Sequence, residues 1–208
     1  MKTRVFNLLV LDESGSMYSI KQQAIDSVNE TLQSVRAAQR QYDDQEHYVS
    51  FVTFNSSGIK TVLDRVEASV AEDITPAQFN PDCCTPLYDA IGRSVMALKK
   101  SVAENDRVLV TIVTDGYENA STEYNQRSIK AMTEELEKKG WTFAYIGANQ
   151  DSRQVSRAIG IKNSLDFCAT EAGTRQMSAK LAKSRANWFR KLGNMATDAV
   201  CEDFFDED

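Results

Sequence analysis

The 208-residue chain is long enough for one domain with a full hydrophobic core, or for one domain with an added segment. Hydrophobic residues make up 42% of the chain, which is typical of a globular protein and too much for a disordered one. The net charge of -6 argues against a nucleic acid or an anionic membrane as the main partner, and no apolar run reaches the roughly 18–20 residues that a membrane span needs.

The first residues resemble a signal peptide only superficially. Lys2 and Arg4 precede an apolar stretch, but that stretch is short, contains Asn7 and lacks a small-residue cleavage site. We therefore expect residues 4–11 to form the first strand of the fold, and we expect the protein to be cytoplasmic.

Strand and helix patterns alternate through the first half of the chain. The apolar run 4–11 predicts a buried strand, and apolar residues at three- and four-residue spacing predict a helix over 19–40. A second strand pattern covers 47–55. Only the turn 56–58 separates it from a third pattern over 59–68, so we expect a hairpin whose third strand is antiparallel to the second.

The second half continues this alternation after an irregular stretch. Thr85 followed by Pro86 predicts the start of a helix, because threonine caps free amide groups and proline suits the first turn. The segment 107–114 is apolar on both faces, as a central parallel strand should be. The remaining elements are a helix over 126–139 that ends at Gly140, a strand over 141–148, a short helix over 151–159 and a last strand over 164–169.

The alternation predicts an α/β fold of the Rossmann-like kind, with a doubly wound, mostly parallel sheet, helices on both faces and one antiparallel edge strand. Residues 174–192 predict a further helix with one apolar side. Its other side carries Arg175, Lys180, Lys183, Arg185, Arg190 and Lys191. We divide the chain into an α/β domain (1–170), a helical extension (171–200) and an acidic tail (201–208). The extension is either a docked helix with a solvated basic side or a partner-binding helix.

Acidic and hydroxyl residues fall where ligands bind in open parallel sheets, at the carboxyl ends of the strands. They are Asp12, Ser14, Ser16, Thr85 and Asp115. Alternate side chains of an extended turn point the same way, so Asp12, Ser14 and Ser16 can face one point. Ligands made only of oxygen suit a hard divalent cation. We therefore expect Mg²⁺ here, with Mn²⁺ or Ca²⁺ as alternatives.

Three short segments carry a resemblance to a known family. They are "DESGS" (12–16), "TPLYDA" (85–90) and "TDGYEN" (114–119), and they are similar to the three parts of the metal-ion-dependent adhesion site (MIDAS) of von Willebrand factor A (VWA) domains. The resemblance covers about residues 3–168, and it implies that the α/β domain is a VWA domain with the strand order 3-2-1-4-5-6. By resemblance, Ser14 and Ser16 contact the metal directly. Thr85 does so directly or through water, while the two aspartates act through waters or hydrogen bonds.

The resemblance also implies a function. It indicates a non-catalytic binding module of the stand-alone, intracellular bacterial type, which recognises an Asp or Glu carboxylate of another protein through the MIDAS cation. Members of this type often serve beside ATPase or stress-response machinery, so we expect such a component as the partner. A membrane is not expected as a partner.

Two other functions remain as alternatives. A magnesium-dependent hydrolase or phosphatase would use the same Asp, Ser and Thr residues. However, Ser14 stands where haloacid-dehalogenase-type phosphatases need a second acid, and His47, the only histidine, opens the second strand, where we expect it to be exposed and opposite the site. An RNA- or ribonucleoprotein-associated protein would bind through the basic C-terminal helix.

Other features have simpler interpretations. Cys83 and Cys84 are interpreted as reduced structural thiols, with a redox role as the alternative. The segment 149–151 either caps the next helix or lines the binding surface. The acidic tail is interpreted as solvated, or alternatively as a peptide that enters the metal site of its own or a neighbouring molecule. We expect the rim of the site to carry Tyr18, Tyr117, Glu118 and Asn119.

Overall fold

The computed structural model describes residues 2–192 and 204–205 of the chain. Within these residues six strands form one sheet: β1 (Thr3–Asp12), β2 (Gln45–Asn55), β3 (Gly58–Glu67), β4 (Arg107–Thr114), β5 (Trp141–Ala148) and β6 (Asn163–Phe167). The same residues form five α-helices: α1 (Lys21–Gln41), α2 (Leu87–Lys99), α3 (Gln126–Glu137), α4 (Ser152–Ala158) and α5 (Glu171–Leu192). Short 3₁₀ turns cover Gly15–Ile20 and Pro76–Gln78. Each strand and helix predicted from the sequence has its counterpart here.

The strands lie in the order β3-β2-β1-β4-β5-β6, which confirms the predicted order. All neighbours are parallel except β2 and β3, which form the predicted antiparallel hairpin. From β1 the chain passes to β2 and β3 on one side of the sheet, and from β3 it crosses back to β4 on the other side of β1. This places a crevice at the carboxyl ends of β1 and β4, where parallel α/β sheets bind ligands.

Two apolar layers hold the helices against the sheet. On one face, α1 and α5 pack against alternate residues of β1, including Leu9 and Leu11. On the other face, α2 and α3 pack against the intervening residues, including Leu8 and Val10. Because neighbouring side chains of a strand point to opposite faces, a strand covered on both sides is largely apolar, as β1 and β4 are between their ends.

The C-terminal helix α5 docks on the sheet, and one of its basic residues departs from the predicted pattern. Met177, Leu181 and Trp188 are buried, as the apolar spacing predicted. Arg185 was expected on the solvated side but is buried as well. Its guanidinium donates to the hydroxyls of Thr31 at 2.9 Å and, more distantly, Thr111 at 3.4 Å. The correction arises because residue 185 lies four positions after Leu181 and faces the sheet with it.

The described part of the tail, Phe204 and Phe205, also contacts the sheet. Phe204 is buried, and its N–H donates to the side chain of Asn163 at 3.0 Å, where β6 begins. This position is at the opposite end of the strands from Asp12. The acidic residues of the tail lie outside the described residues, and the predicted domain boundaries stay predictions.

Candidate metal centre

Three loops meet at the carboxyl ends of β1 and β4. Asp12 is the last residue of β1 and is fully buried, while Ser14 and Ser16 lie in the turn that follows. The Ser16 hydroxyl donates to Asp115 Oδ1 at 2.5 Å, which joins this turn to the end of β4. The Ser14 and Ser16 hydroxyl oxygens lie 3.2 Å apart. The structure therefore brings together four of the five residues that the sequence singled out through direct contacts.

Thr85, the fifth residue, reaches the same place from the loop before α2. A β-carbon built on Gly116 would lie 3.0 Å from Thr85 Oγ1 and 3.7 Å from Asp12 Oδ2. The two oxygens therefore border the same small space, which the missing side chain of Gly116 leaves open. A larger residue at 116 would press on the Thr85 hydroxyl.

A sixth residue, Thr114, holds Asp12 in place. Its hydroxyl contacts Asp12 Oδ2 at 2.5 Å, while the Ser14 N–H donates to Asp12 Oδ1 at 2.7 Å. Thr114 was not among the residues predicted for the site. The register of the sheet explains its position, because Leu11 of β1 pairs with Val113 of β4 and the next residues therefore meet. A threonine directly before Asp115 was the only signal in the sequence.

The start of α2 is fastened to the loop after β4 by reciprocal hydrogen bonds. The Asn119 side chain accepts the Thr85 N–H at 2.9 Å, and the Thr85 carbonyl accepts the Asn119 N–H at 3.1 Å. The Glu118 carboxylate accepts the Tyr88 N–H at 2.9 Å, and the Ser121 hydroxyl accepts the Asp89 N–H at 3.0 Å. We refer to these contacts as the α2 clamp.

The α2 clamp corrects one prediction. Thr85 was expected to cap the helix, but the helix begins at Leu87 and the residue at its N-cap position is Pro86, which makes no side-chain capping bond. The free amide groups of a helix start need partners, and here the loop supplies them. Glu118 and Asn119 were expected at the rim, and their side chains also accept the N–H groups of Tyr88 and Thr85. The clamp thus makes Thr85 and Asp115 parts of one connected unit.

Asp89 strengthens the same connection from the helix side. Its carboxylate accepts the N–H groups of Thr122, Glu123 and Tyr124 at 2.7–2.9 Å. Burial alone would raise the pKa of Asp89, but these backbone hydrogen bonds outweigh burial and lower it. Asp89 is therefore an ionised anchor for the loop.

The surroundings of the two aspartates of the centre disfavour their negative charges. Burial raises the pKa of Asp12 to about 6, against hydrogen bonds from Thr114 and Ser14 that act to lower it, and Asp115 adds like-charge repulsion. Burial also raises the pKa of Asp115. Among the described residues neither carboxylate forms an ion pair with a Lys or Arg. A bound cation would relieve this unfavourable accumulation of negative charge.

The chemistry of the ligand set fits a hard divalent cation. Two carboxylates and three hydroxyls converge, and oxygen ligands of this kind suit Mg²⁺, Mn²⁺ or Ca²⁺. In the part of the chain that the structure describes, no group of three or more His, Cys, Asp or Glu residues could hold a metal ion. A metal at the end of β1 would therefore depend on the hydroxyls of Ser14, Ser16 and Thr85.

The rim of the centre carries two exposed tyrosines. Tyr18 is 73% exposed and Tyr117 is 58% exposed, each directly beyond a predicted ligand loop. Asp151 does not contribute to the centre, because its side chain accepts the Gln154 N–H at 2.9 Å and caps α4. This agrees with the capping interpretation of 149–151.

His47 cannot serve the centre as a base. It pairs with Val5 near the start of β1, whereas Asp12 at the other end pairs with Phe54. The prediction that His47 is exposed was wrong, because its ring is fully buried against Phe189. Its Nε2 lies 3.0 Å from Gln45 Oε1, and burial lowers the pKa of His47 to about 4.

Comparison with known proteins gives a family. The model of the von Willebrand factor type A domain matches residues 8–182, which is well over half of the chain. No curated protein matches the chain. In the described residues, none of the helices is both long and apolar enough to cross a membrane.

Several solved structures share the fold at low sequence identity. The pilus adhesin SpaC of Lactobacillus rhamnosus GG has a TM-score of 0.66 and 14% identity, over 91% of this chain and 30% of that chain. The SpRpn10 VWA domain has a TM-score of 0.63 and 9% identity, over 84% and 93% of the two chains. PTMP1 from the mussel byssus, with a zinc-occupied MIDAS motif, has a TM-score of 0.60 and 18% identity, over 91% and 48%. This chain covers only 46% of the length of two other PTMP1 chains from the mussel byssus. It covers 64% and 62% of two PilB minor pilin chains from Streptococcus sanguinis.

Proposed function

This chain belongs to the von Willebrand factor type A domain family, and from that premise we propose that it is a metal-dependent protein-binding module. The observation that carries the proposal is the meeting of Asp12, Ser14, Ser16, Thr85 and Asp115 at one end of the sheet. The ligand set fits Mg²⁺ best, because Mg²⁺ prefers oxygen ligands and keeps several waters.

Each residue has a distinct part in this proposal. The hydroxyls of Ser14 and Ser16 contact the cation directly, and Thr85 contacts it directly or through water. Asp12 and Asp115 hold those hydroxyls and the bound waters through hydrogen bonds. Few direct negative charges leave the cation able to attract an anionic oxygen. The natural ligand for its remaining position is an Asp or Glu carboxylate of a partner protein.

The cellular setting that we propose follows from the kind of site rather than from any named partner. We propose a cytoplasmic protein of the stand-alone bacterial type, with an ATPase or a stress-response component as its partner. The exposed Tyr18 and Tyr117 rings give that partner an apolar surface beside the cation.

We further propose that the module is not an enzyme. Hydrolysis needs a base near the bound substrate, and His47 is buried at the opposite end of the strands. Asp12 is fully buried and bonded to Ser14 and Thr114, so its carboxylate is not free to attack a substrate. These contacts support binding over a magnesium-dependent hydrolase.

Titration with magnesium chloride in an isothermal calorimeter tests the proposal. The wild-type chain should release or absorb heat with a single site, and Ser14→Ala should lose most of that signal. Ser69→Ala is the matched control, because Ser69 is exposed and bonds only to Glu67 among the contacts described. Capture of a partner from a cell extract should then need Mg²⁺ and Ser14 together. A wild-type chain that binds no divalent cation would end the proposal.

A further inference from the structure

Two adjacent thiols, Cys83 and Cys84, lie beside the candidate metal centre without belonging to it. Both are free and exposed, and the contact described for the Cys83 sulfur is with the Ser57 hydroxyl at 3.4 Å. The φ angle of Cys83 is 66°, in the left-handed region that favours glycine and disfavours a residue with a β-carbon. The exposed side chain gains little packing in return. This combination points to a chemical rather than a structural role.

The backbone of the same pair bonds to the turn after β1, which belongs to the centre, and to the hairpin turn between β2 and β3. The Cys83 carbonyl accepts the Gly15 N–H at 3.1 Å, in the turn after β1. The Cys84 carbonyl accepts the Ser56 N–H at 3.0 Å, and the Cys84 N–H donates to the Ser56 hydroxyl at 3.2 Å. Thr85 follows directly in the chain. A change in the backbone of the pair would therefore reach both the serine turn and the threonine.

We propose that Cys83 and Cys84 are a peroxide-responsive dithiol. Oxidation closes a disulfide between the two neighbouring residues, rearranges this loop and weakens the metal centre. The formation of the disulfide is independent of the proposed function, whereas its effect on metal binding rests on that function. Oxidation and reduction of the pair thus control the affinity of the site for its metal.

The reaction takes a hydroperoxide as its oxidant. One thiol sulfur attacks the O–O bond of hydrogen peroxide, which produces a sulfenic acid and one water. The second thiol attacks that sulfur, forms the S–S bond and releases another water. Two thiols are oxidised to one disulfide while one peroxide is reduced to two waters.

Covalent geometry makes this disulfide reversible and disruptive. Neighbouring Cα atoms across a trans peptide are about 3.8 Å apart, whereas disulfides usually join Cα atoms about 4.4–6.8 Å apart. The ring must therefore distort the backbone of the pair, and a strained disulfide is readily reduced by a thiol. Because that backbone bonds to Gly15 and Ser56, closure of the ring breaks at least one of these hydrogen bonds.

The experiment exposes the reduced full chain to hydrogen peroxide, alkylates the remaining thiols and maps the peptides by mass spectrometry. The peptide that contains both cysteines should lose two hydrogen atoms and resist alkylation until a thiol reductant is added. Magnesium affinity, measured by calorimetry, should weaken about tenfold, as the loss of one or two hydrogen bonds predicts. Amide hydrogen exchange at Gly15 and Ser56 should become faster.

Three variants separate this reaction from general oxidation. Cys84→Ser and Cys83→Gly should each abolish the disulfide and keep their magnesium affinity after peroxide treatment. Cys83→Gly also suits the left-handed conformation, so it should fold at least as stably as the wild type. Cys168→Ser is the matched control, because Cys168 is exposed beyond β6, and this variant should respond like the wild type.

The outcomes distinguish the inference from the proposed function. A linkage between chains, or a stable sulfenic acid without the internal disulfide, would overturn the inference. So would a disulfide that leaves the exchange of Gly15 and Ser56 unchanged. If the reduced chain binds no magnesium, the proposed function fails, while mass and exchange still decide whether the dithiol closes and moves the loop.

Discussion

The metal-free protein should become more stable when Asp12 is replaced by asparagine. Burial raises the pKa of Asp12 from its ordinary value of 3.8 to about 6. Below pH 4 the carboxyl is protonated in both the folded and the unfolded chain, and the fold keeps its full stability. As the pH rises from 4 through 6, Asp12 ionises more easily in the unfolded chain than in the folded chain. The contribution of the protonated Asp12 to the stability of the fold is therefore lost. About two pKa units correspond to about 3 kcal/mol at neutral pH.

Asparagine preserves the hydrogen bonds around residue 12. Its Oδ1 can still accept the Ser14 N–H, and its NH₂ can donate to the Thr114 hydroxyl. Thr114 Oγ1 lies 3.0 Å from the Gly116 carbonyl, so its own hydrogen has another acceptor. Burying an amide still has a cost, so we expect Asp12→Asn to stabilise the metal-free fold by about 2 kcal/mol, or about 4–8 °C in Tm.

Thermal unfolding in a chelator at pH 7.5 and at pH 4 measures this effect. Asp12→Asn should unfold at a higher temperature at pH 7.5, and the difference should vanish at pH 4. Magnesium should raise the Tm of the wild type and leave that of the variant unchanged. Asp43→Asn, at an exposed position, should behave like the wild type throughout. If Asp12→Asn is the less stable protein at pH 7.5 without metal, the argument from the buried charge is wrong.

Three further predictions follow from other buried or crowded groups. Because burial lowers the pKa of His47 from 6.5 to about 4, the fold should lose about 3 kcal/mol as the pH falls through this interval, and urea unfolding of His47→Gln should show a flatter pH profile. Gly116→Ala places a methyl group 3.0 Å from Thr85 Oγ1, so calorimetry should show magnesium affinity reduced by about tenfold with little change in Tm; unchanged affinity would remove Thr85 from the site. Arg185→Met should raise the unfolding free energy by about 1–3 kcal/mol in urea titrations, since the buried guanidinium has no carboxylate partner among the described residues, while Lys183→Met on the same helix should have little effect. A loss of stability in Arg185→Met would show that its two threonine contacts outweigh the burial of its charge.

The strands were predictable from their local patterns, whereas their order was implied by the resemblance to VWA domains and is confirmed by the sheet. The apolar run of β4 identified a strand covered on both faces, and the three-residue turn 56–58 identified the antiparallel hairpin. Four residues of the candidate centre, Asp12, Ser14, Ser16 and Asp115, lie at or just beyond the ends of β1 and β4, where the apolar runs of these strands stop. Their role as metal ligands remains a prediction, which the calorimetric experiment tests.

Other features depend on contacts between distant parts of the chain. The helix start at Thr85 and Pro86 carries a familiar local signal, but the amide partners come from Glu118, Asn119 and Ser121, more than 30 residues later. Local spacing could not show this, because a loop side chain can replace a capping residue only when the fold brings it near.

Burial of polar residues was equally hard to predict. Arg185 and His47 are types that usually lie at the surface or at its edge, so the sequence favoured exposure for both. In the structure, packing buries both side chains. The periodicity of α5 turns residue 185 toward the sheet, and Phe189 of the same helix covers the His47 ring.

The direction of α5 has a practical consequence for attaching the module to a label, a tether or a solid support. The helix starts beside the carboxyl end of β6 and finishes with Trp188 bonded to Thr142, where β5 begins. Thr3 starts β1 at that same pole. A tether, label or solid support joined at residue 3 or at residue 192 would therefore attach near the amino ends of the parallel strands. The serine turn, at the carboxyl ends, would then point away from the attachment.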